Sequence, residues 1–194
     1  MDDPAPPAIL VVEDERGLAD LYAEWLADDY PVETVYTGKD AMEMIADRFD
    51  VVLLDRRMPG VSGDQVLDRI RNKGLDCRVV IVSAVEPDFD VIELDFDDYL
   101  VKPISREDLI DAVQRMQGRR EYEPDLQRYF ALVSKKATLE EEKRMDELEE
   151  NAEYQTLLEE IVDLWDRVDT TLTALDRDDL RAVLRDPASA DRSR

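Results

Sequence analysis

Five side chains that can do phosphoryl chemistry each stand at or just after a short apolar run. They are Glu13, Asp14, Asp55, Ser83 and Lys102. Carboxylate oxygens are the ligands that Mg²⁺ prefers, and a carboxylate can attack phosphorus to form an aspartyl-phosphate. A lysine and a metal ion can neutralise the charge that develops during such a transfer. These five residues together predict a magnesium-dependent site that accepts a phosphoryl group, with Asp55 as the nucleophile.

This interpretation depends on the joint placement of the five residues. A single acid after a strand is usually a turn or cap residue. Three clustered carboxylates repel each other, and a hard dication relieves that repulsion. Ala84 follows Ser83, and its small side chain leaves access to the predicted site.

The elements that would position these residues alternate between strand and helix patterns. Apolar runs predict strands at residues 9–12, 32–36, 51–54, 79–82 and 99–101. Helical spacing follows each strand, at residues 17–27, 41–46, 66–70, 91–94 and 109–116. Such an order predicts an α/β fold with a five-stranded, doubly wound parallel sheet. In this fold ligands bind at the carboxyl ends of the strands, where the five residues stand.

After Gly118 the strand pattern stops and charged helical sequence follows. We expect an all-α helical hairpin or small bundle. Thr138 with Glu141 fits a capping box for a new helix, and 178–184 fits a further short helix. Apolar residues between 154 and 175 form a stripe that packs within this region or, alternatively, forms a dimeric coiled coil. Lys135 and Lys136 are interpreted as a solvated helix face, because two lysines are too few for a nucleic-acid site.

Composition excludes several classes of site. The 194 residues contain one cysteine and no histidine, which excludes an internal disulfide, histidine triads and any phosphohistidine step within the chain. The net charge of −24 fits either a protein that repels nucleic-acid phosphates or, as we prefer, adaptation to a high-salt cytoplasm. No apolar run is long enough to insert into a membrane, and no signal peptide is visible, so a cytoplasmic location is expected.

Residues 8–118 resemble the receiver domain of two-component response regulators, which has the flavodoxin-like fold of CheY. Four motifs in the family's order carry the resemblance. They are Val-Val-Glu-Asp at 11–14, Leu-Leu-Asp-Arg-Arg-Met-Pro-Gly-Val-Ser-Gly at 53–63, Ile-Val-Ser-Ala at 81–84 and Asp-Tyr-Leu-Val-Lys-Pro at 98–103.

The resemblance assigns roles to individual residues. Mg²⁺ would be bound by Glu13, Asp14, Asp55 and the backbone carbonyl of Arg57, and Asp55 would be the phosphoacceptor. Ser83, Ala84 and Lys102 would contact the phosphoryl group. Tyr99 would be a switch aromatic that turns inward when Ser83 moves, and the peptide bond before Pro103 would be cis. The side chains of Arg56 and Arg57 are interpreted as surface charges.

Two departures from the family are visible. The stretch between Ser83 and Tyr99 is short, so the fourth helix should be truncated or irregular, and a homodimer through that face is in doubt. Asp95 stands where the family commonly has glycine, and we expect it to accept a left-handed conformation.

The C-terminal region resembles the HalX domain, a helical module that follows receivers in haloarchaeal proteins. The resemblance rests on Tyr129, Leu132, Ser-Lys-Lys at 134–136, Leu-Glu at 139–140, Glu-Leu at 147–148 and Glu-Tyr at 153–154. The expected organisation is a disordered segment at 1–7, a receiver at 8–118, a linker at 119–124, the HalX-like region at 125–186 and a frayed end at 187–194.

The sequence suggests three functions. The first is a signalling protein whose Asp55 is phosphorylated by a sensor histidine kinase and whose helical region acts on an unknown protein target. The second is a transcription regulator whose helical region contacts DNA or the transcription machinery, although no helix-turn-helix pattern is visible. The third is an aspartyl-phosphate enzyme, which resembles receivers but needs an acid at the position of Arg57. We therefore expect no enzyme activity beyond self-catalysed phosphorylation and dephosphorylation.

Overall fold

The computed structural model describes residues 6–119 and 124–172, and at 118, 119 and 166–172 it describes the backbone alone. Five parallel strands form one sheet in the order β2-β1-β3-β4-β5. The strands are β1 (Ile9–Val12), β2 (Val32–Val35), β3 (Val51–Leu54), β4 (Arg78–Ser83) and β5 (Asp98–Val101). Every residue of β1, β3 and β4 is buried, because helices cover both faces of the central strands.

Four helices cover the two faces of the sheet. They are α1 (Arg16–Leu26), α2 (Gly38–Met44), α3 (Gly63–Asn72) and α4 (Arg106–Arg119). Alternate strand residues point to opposite faces, so that Ile9 and Val11 join the cluster under α1 and α4, whereas Leu10 and Val12 join the cluster under α2 and α3. Helix α3 begins at a capping box between Ser62 and Gln65. The predicted doubly wound fold is confirmed.

The fourth helix of the predicted pattern is a single 3-10 turn, Phe89–Ile92. Asp88 caps this turn by accepting a hydrogen bond from the backbone N–H of Phe89. Among the described residues only Gly60 and Gly74 have positive φ, so the left-handed conformation expected for Asp95 is absent. The α/β domain therefore leaves part of its sheet face uncovered by its own helices.

Helices α5 (Pro124–Glu142), α6 (Met145–Glu150) and α7 (Ala152–Leu172) form the C-terminal region. Helix α5 packs against α7, which confirms the predicted hairpin. The predicted helix start at Thr138 is wrong, because Thr138 lies inside α5 and the next helix is capped at Arg144 instead. The next residue, Leu139, is fully buried, so continuing the helix keeps it in the core. The expected helix at 178–184 and the frayed end at 187–194 lie outside the described residues, as do residues 1–5 of the segment at 1–7 and residues 120–123 of the linker at 119–124.

The C-terminal helices pack on the α/β domain rather than standing apart from it. Leu132, Leu139, Leu157 and Leu164 belong to the same buried cluster as the core residues under α2 and α3. Helix α5 contacts β5 and the 3-10 turn, and α7 also contacts the turn. These helices thus cover the sheet face that the shortened fourth element leaves open. None of the described helices is both long and apolar enough to cross a membrane.

Candidate functional site

The carboxyl ends of the central strands bring the predicted site residues to one edge of the sheet. Val12 pairs with Leu54 in the strand register, so the residues that follow them, Glu13 and Asp55, stand side by side. The backbone N–H of Asp55 donates to the carbonyl of Val12 at 2.8 Å. On the other side of β4, the N–H of Lys102 donates to the carbonyl of Ser83 at 2.8 Å. Parallel pairing therefore fixes the backbone positions from which the side chains converge.

Lys102 joins two buried carboxylates. Its Nζ atom lies 2.6 Å from Oε2 of Glu13 and 2.9 Å from Oδ2 of Asp55. Glu13 is 2% exposed and Asp55 7% exposed. Burial alone would lower the pKa of Lys102, but the hydrogen bonds to Glu13 and Asp55 and the Coulomb attraction of these two carboxylates together outweigh burial and raise the pKa. The ammonium group is therefore held in its charged form against the Asp55 carboxylate.

The three predicted metal ligands form one cluster. Carboxylate oxygens of Glu13, Asp14 and Asp55 all lie within 4.8 Å of one another. Asp14 is exposed, so the cluster opens to solvent on one side. Burial is the main cause that raises the pKa of Glu13 to about 7; the nearby Asp55 carboxylate adds to it, and the hydrogen bond from Lys102 opposes it. A hard dication fits this donor set, because it would compensate the buried negative charge with oxygen ligands.

The loop after β3 fixes the orientation of Asp55. The backbone N–H of Arg57 donates to Oδ1 of Asp55 at 3.0 Å, which leaves Oδ2 to Lys102. Gly63 closes the loop, and its N–H donates to the carbonyl of Arg56 at 2.9 Å. A Cβ atom at position 63 would lie 2.2 Å from the carbonyl oxygen of Asp55. Only glycine allows α3 to begin this close to Asp55.

Ser83 and Tyr99 are connected through one residue, Val85. Ser83 is fully buried at the end of β4, and its Oγ accepts a hydrogen bond from the N–H of Val85 at 3.2 Å. The hydroxyl of Tyr99 donates to the carbonyl of Val85 at 2.7 Å. Tyr99 is only 6% exposed, so its ring is turned inward in this structure. Ala84, the residue after Ser83, is exposed. The peptide bond between Lys102 and Pro103 is cis, as expected.

Arg56 is a residue whose position sequence reasoning missed. The sequence predicts a surface charge at this position, but Arg56 is only 7% exposed. Its guanidinium donates to Asp64 at the start of α3 and to Asp90 in the 3-10 turn. The two acids are far apart in the sequence, so no local sequence pattern could predict that Arg56 bonds both of them. The side chain of Arg57, by contrast, is exposed as predicted.

Lys135 also departs from its interpretation as part of a solvated helix face. It is 1% exposed, between α5 and the 3-10 turn. The apolar stem of the Lys135 side chain is long enough to cross this space, so its ammonium group can donate to the backbone carbonyl of Ile92. The helical pattern could not reveal this, because the partner surface belongs to the other domain.

The family model described as the response regulator receiver domain matches residues 9–114 of this chain. The chain belongs to the response regulator receiver family. The receiver is followed by a match to the HalX domain at residues 118–184. Both resemblances seen in the sequence are thereby confirmed.

Two curated relatives illustrate what this receiver protein is similar to. A Haloferax volcanii protein, named as a candidate transcriptional regulator, is 47% identical over 137 residues, which cover 70% of this chain and 24% of that protein. The transcriptional regulatory protein CutR of Streptomyces coelicolor is 41% identical over 117 residues, covering 58% of this chain and 54% of CutR. This chain thus matches about half or less of the length of these relatives.

Solved receiver structures share the fold of the N-terminal domain. The non-phosphorylated HemR receiver domain from Leptospira biflexa is 27% identical, with a TM-score of 0.54, and the match covers 60% of this chain and 96% of that one. The response regulator TrrA from Thermotoga maritima, in complex with Mg²⁺ and BeF, is 30% identical with a TM-score of 0.50, over 57% of this chain and 98% of that one.

Proposed function

We propose that this protein is the phosphoacceptor of a two-component phosphorelay, with Asp55 as the residue that is modified. The single observation that carries the proposal is the position of Lys102, whose ammonium group contacts both Glu13 and Asp55. A partly buried lysine between two carboxylates supplies the positive charge that an incoming phosphoryl group needs. Oδ1 of Asp55 is held by the N–H of Arg57, so one oxygen is oriented while the other faces the lysine.

Glu13, Asp14, Asp55 and the backbone carbonyl of Arg57 would hold Mg²⁺. The ion would neutralise charge on the phosphoryl oxygens during transfer. Lys102 would then turn from the carboxylates to a phosphoryl oxygen, since its flexible stem lets the ammonium group follow the negative charge. Ser83 and the space over Ala84 would receive the remaining phosphoryl oxygens, and Tyr99 would respond through Val85, to which both side chains bond.

The phosphoryl donor is a separate molecule. The chain contains no histidine, so a partner sensor histidine kinase is the donor that fits. Self-catalysed phosphorylation from small phosphodonors and self-catalysed dephosphorylation complete the chemistry, with no external substrate turned over. We assign residues 8–118 to the receiver, 119–124 to the linker and 125–186 to the output region.

A protein target is the output that the charge of the C-terminal region favours. The bases of α5 and the residue after it are largely engaged within the chain: Arg128 pairs with Asp95 and Glu160, and Lys143 with Asp88. Few cations therefore remain on the described side chains of α5, α6 and α7 to contact nucleic-acid phosphates. A homodimer through α7 is compatible with the exposure of Val162 and Trp165 on that helix.

Phosphorylation is tested with acetyl phosphate and Mg²⁺ in molar KCl. Intact-mass spectrometry should detect one added phosphoryl group on the wild type and none on Asp55→Asn. Asp50→Asn, which alters a carboxylate at the opposite end of β3, is the matched control and should be modified like the wild type. Equal modification of the wild type and Asp55→Asn would overturn the assignment.

Direct DNA contact is the second candidate, because relatives such as CutR are named transcriptional regulatory proteins. Genomic fragments can be incubated with the full chain in molar KCl, with and without acetyl phosphate. Retention of specific fragments that requires residues 119–194 would favour this candidate. Retention that is absent, or equal for all fragments, would favour a protein target.

A further inference from the structure

Helix α7 carries an apolar ridge on its solvent side. Only three large apolar side chains are exposed among the residues that the structure describes, and two of them, Val162 and Trp165, lie one turn apart on this helix. Val162 is 61% exposed and Trp165 39%. Leu158 and Ile161 are half-buried and pack against the core beside them. These four residues, here called the α7 ridge, follow the i, i+3, i+4, i+7 spacing of one helix face.

The α7 ridge extends beyond the surface that holds α7 in place. Tyr154, Leu157 and Leu164 are buried and belong to the large core cluster, so they already anchor the helix. A single exposed apolar side chain needs no explanation. A contiguous apolar patch that is rimmed by polar residues, however, marks a site of interaction.

The Trp165 ring is held in position before any partner binds. Its centroid lies 5.3 Å from the centroid of the Tyr129 ring on α5. A side chain that is already ordered loses little conformational freedom when a partner covers it. Tryptophan and tyrosine are also the residue types that most often dominate the binding energy of an interface. The ridge therefore has the composition of a binding surface and contains a fixed anchor.

The charge beside the ridge is negative. Residues 152–165 include no lysine or arginine, and their four acids are Glu153, Glu159, Glu160 and Asp163. Glu160 is paired with Arg128 of α5. Glu159 and Asp163 are exposed next to Val162 in the helix, and neither forms an ion pair with any side chain that the structure describes. These two carboxylates are therefore available to a partner.

We propose that the α7 ridge binds a cationic amphipathic helix of a protein partner. This inference rests on the proposed function, in which the C-terminal region acts on a protein target. Apolar side chains of the partner helix cover Val162 and Trp165, and its lysines or arginines pair with Glu159 and Asp163. In molar salt the Debye length is about 3 Å, so only charges in direct contact select between partners.

A second copy of this chain fits the ridge less well. The exposure of Val162 and Trp165 would also allow a homodimer, but a two-fold contact places the same patch against itself. Glu159 and Asp163 of one copy would then approach those of the other, and residues 152–165 offer no base to compensate them. Such juxtaposed like charges suppress an interface.

Fluorescence anisotropy of labelled synthetic peptides, titrated with the full chain in molar KCl, tests the proposal. Two helical peptides present leucines at i, i+3, i+4 and i+7, and the positions beside the leucines are arginine in one peptide and glutamate in the other. The arginine peptide should bind the wild type at least about tenfold more tightly than the glutamate peptide, because only its charges complement the rim.

Four variants separate the contributions of the ridge and its rim. Trp165→Ala should weaken binding of the arginine peptide by about thirtyfold, as expected for a dominant anchor. Val162→Ser, at a position where the fold does not depend on the side chain, should weaken it by about fivefold. Glu159→Lys should reduce or reverse the preference for the arginine peptide. Glu24→Lys, which changes an exposed acid on α1, is the matched control and should bind both peptides like the wild type.

Each other outcome has a definite meaning. Equal affinity of the wild type for the two peptides, or an unchanged preference in Glu159→Lys, would overturn the inference. A wild-type dimer in sedimentation equilibrium that Val162→Ser dissociates would assign the ridge to a second copy instead. Peptide binding that appears only after removal of residues 173–194 would assign it to that segment.

Acetyl phosphate labelling of the same protein samples tests the proposed function separately. Labelling of Asp55 without selective peptide binding would overturn the inference and leave the proposed function standing. Absence of labelling in the wild type would overturn the proposed function, whatever the peptides do.

Discussion

The Nζ atom of Lys102 lies 2.9 Å from Oδ2 of Asp55, across 47 positions of the sequence. The same ammonium group bonds Glu13, so one cation compensates two buried carboxylates. Removing one partner of a buried ion pair leaves an uncompensated charge, which costs far more than an exposed pair contributes. The lysine is therefore expected to stabilise the fold as well as to serve phosphoryl transfer.

Lys102→Met should lower the free energy of unfolding by about 3 kcal/mol in the absence of Mg²⁺, because Glu13 and Asp55 lose their cation. Mg²⁺ should restore part of that loss, since a bound cation stabilises the folded state by mass action. Urea unfolding in molar KCl, with Mg²⁺ or with a chelator, measures both effects. Lys39→Met, at an exposed position of α2, should change the stability by no more than about 0.5 kcal/mol. A Lys102 variant as stable as wild type without Mg²⁺ would contradict the expected role.

Gly63→Ala should destabilise the fold and reduce phosphorylation together. The added Cβ would meet the Asp55 carbonyl at 2.2 Å, so either α3 or the loop after β3 must shift. Overpacking of this kind costs about 1–3 kcal/mol. Gly17→Ala in α1 is the matched control, because nothing lies within 4 Å of a Cβ there, and it should be neutral or slightly stabilising. Thermal unfolding and acetyl phosphate labelling of both variants test this prediction. Equal stability and equal labelling of Gly63→Ala and Gly17→Ala would contradict it.

Leu139→Ala should destabilise the receiver and the C-terminal helices in a single transition. Leu139 is fully buried in α5, within the cluster that also contains Tyr99 and Phe96. Removing it should cost about 2–5 kcal/mol, the usual range for a core leucine. Val162→Ala, at a side chain that is 61% exposed, should have little effect. Calorimetry that resolves two separate transitions, with only the lower one shifted by Leu139→Ala, would refute the shared core.

Lys135 should make stability depend on pH above neutrality. Burial is the main cause that lowers its pKa from 10.5 to about 8; Arg128 adds to this, while Asp95, Glu160 and Asp97 oppose it. Below the folded pKa the lysine is charged in both states, so the cost of burying the charge is fully present. Between about pH 8 and about pH 10 the folded state releases its proton first, and that cost disappears.

The test compares wild type with Lys135→Met, so that other titrating groups cancel. The stability of the wild type relative to this variant should rise by up to about 3 kcal/mol across that range. Urea midpoints at several pH values give the difference directly. A stability difference between wild type and Lys135→Met that does not change with pH would contradict this prediction. It would show that the lysine keeps its proton, held by the Ile92 carbonyl and the Phe96 ring.

The α/β domain could be predicted largely from the sequence because its strands are continuous apolar runs. Buried parallel strands need apolar side chains on both faces, so Ile9–Val12 and Val51–Leu54 can be recognised as strands from the sequence. The acids and the lysine at the ends of such runs then follow from the rule that strand carboxyl ends share one edge. The helix start at Thr138 was predicted wrongly because a capping motif is local, whereas burial of the next residue, Leu139, depends on a distant surface.

What the sequence by itself determined is the order of strands and helices, and the identity of the residues at the site. It did so because these depend on side-chain type and short-range periodicity. Only the tertiary structure decided where Arg56 and Lys135 lie, since both are buried by contacts with Asp90 and Ile92 of the 3-10 turn. A charged side chain looks solvated in any one-dimensional pattern, and only the packing of one element on another can bury it with a partner.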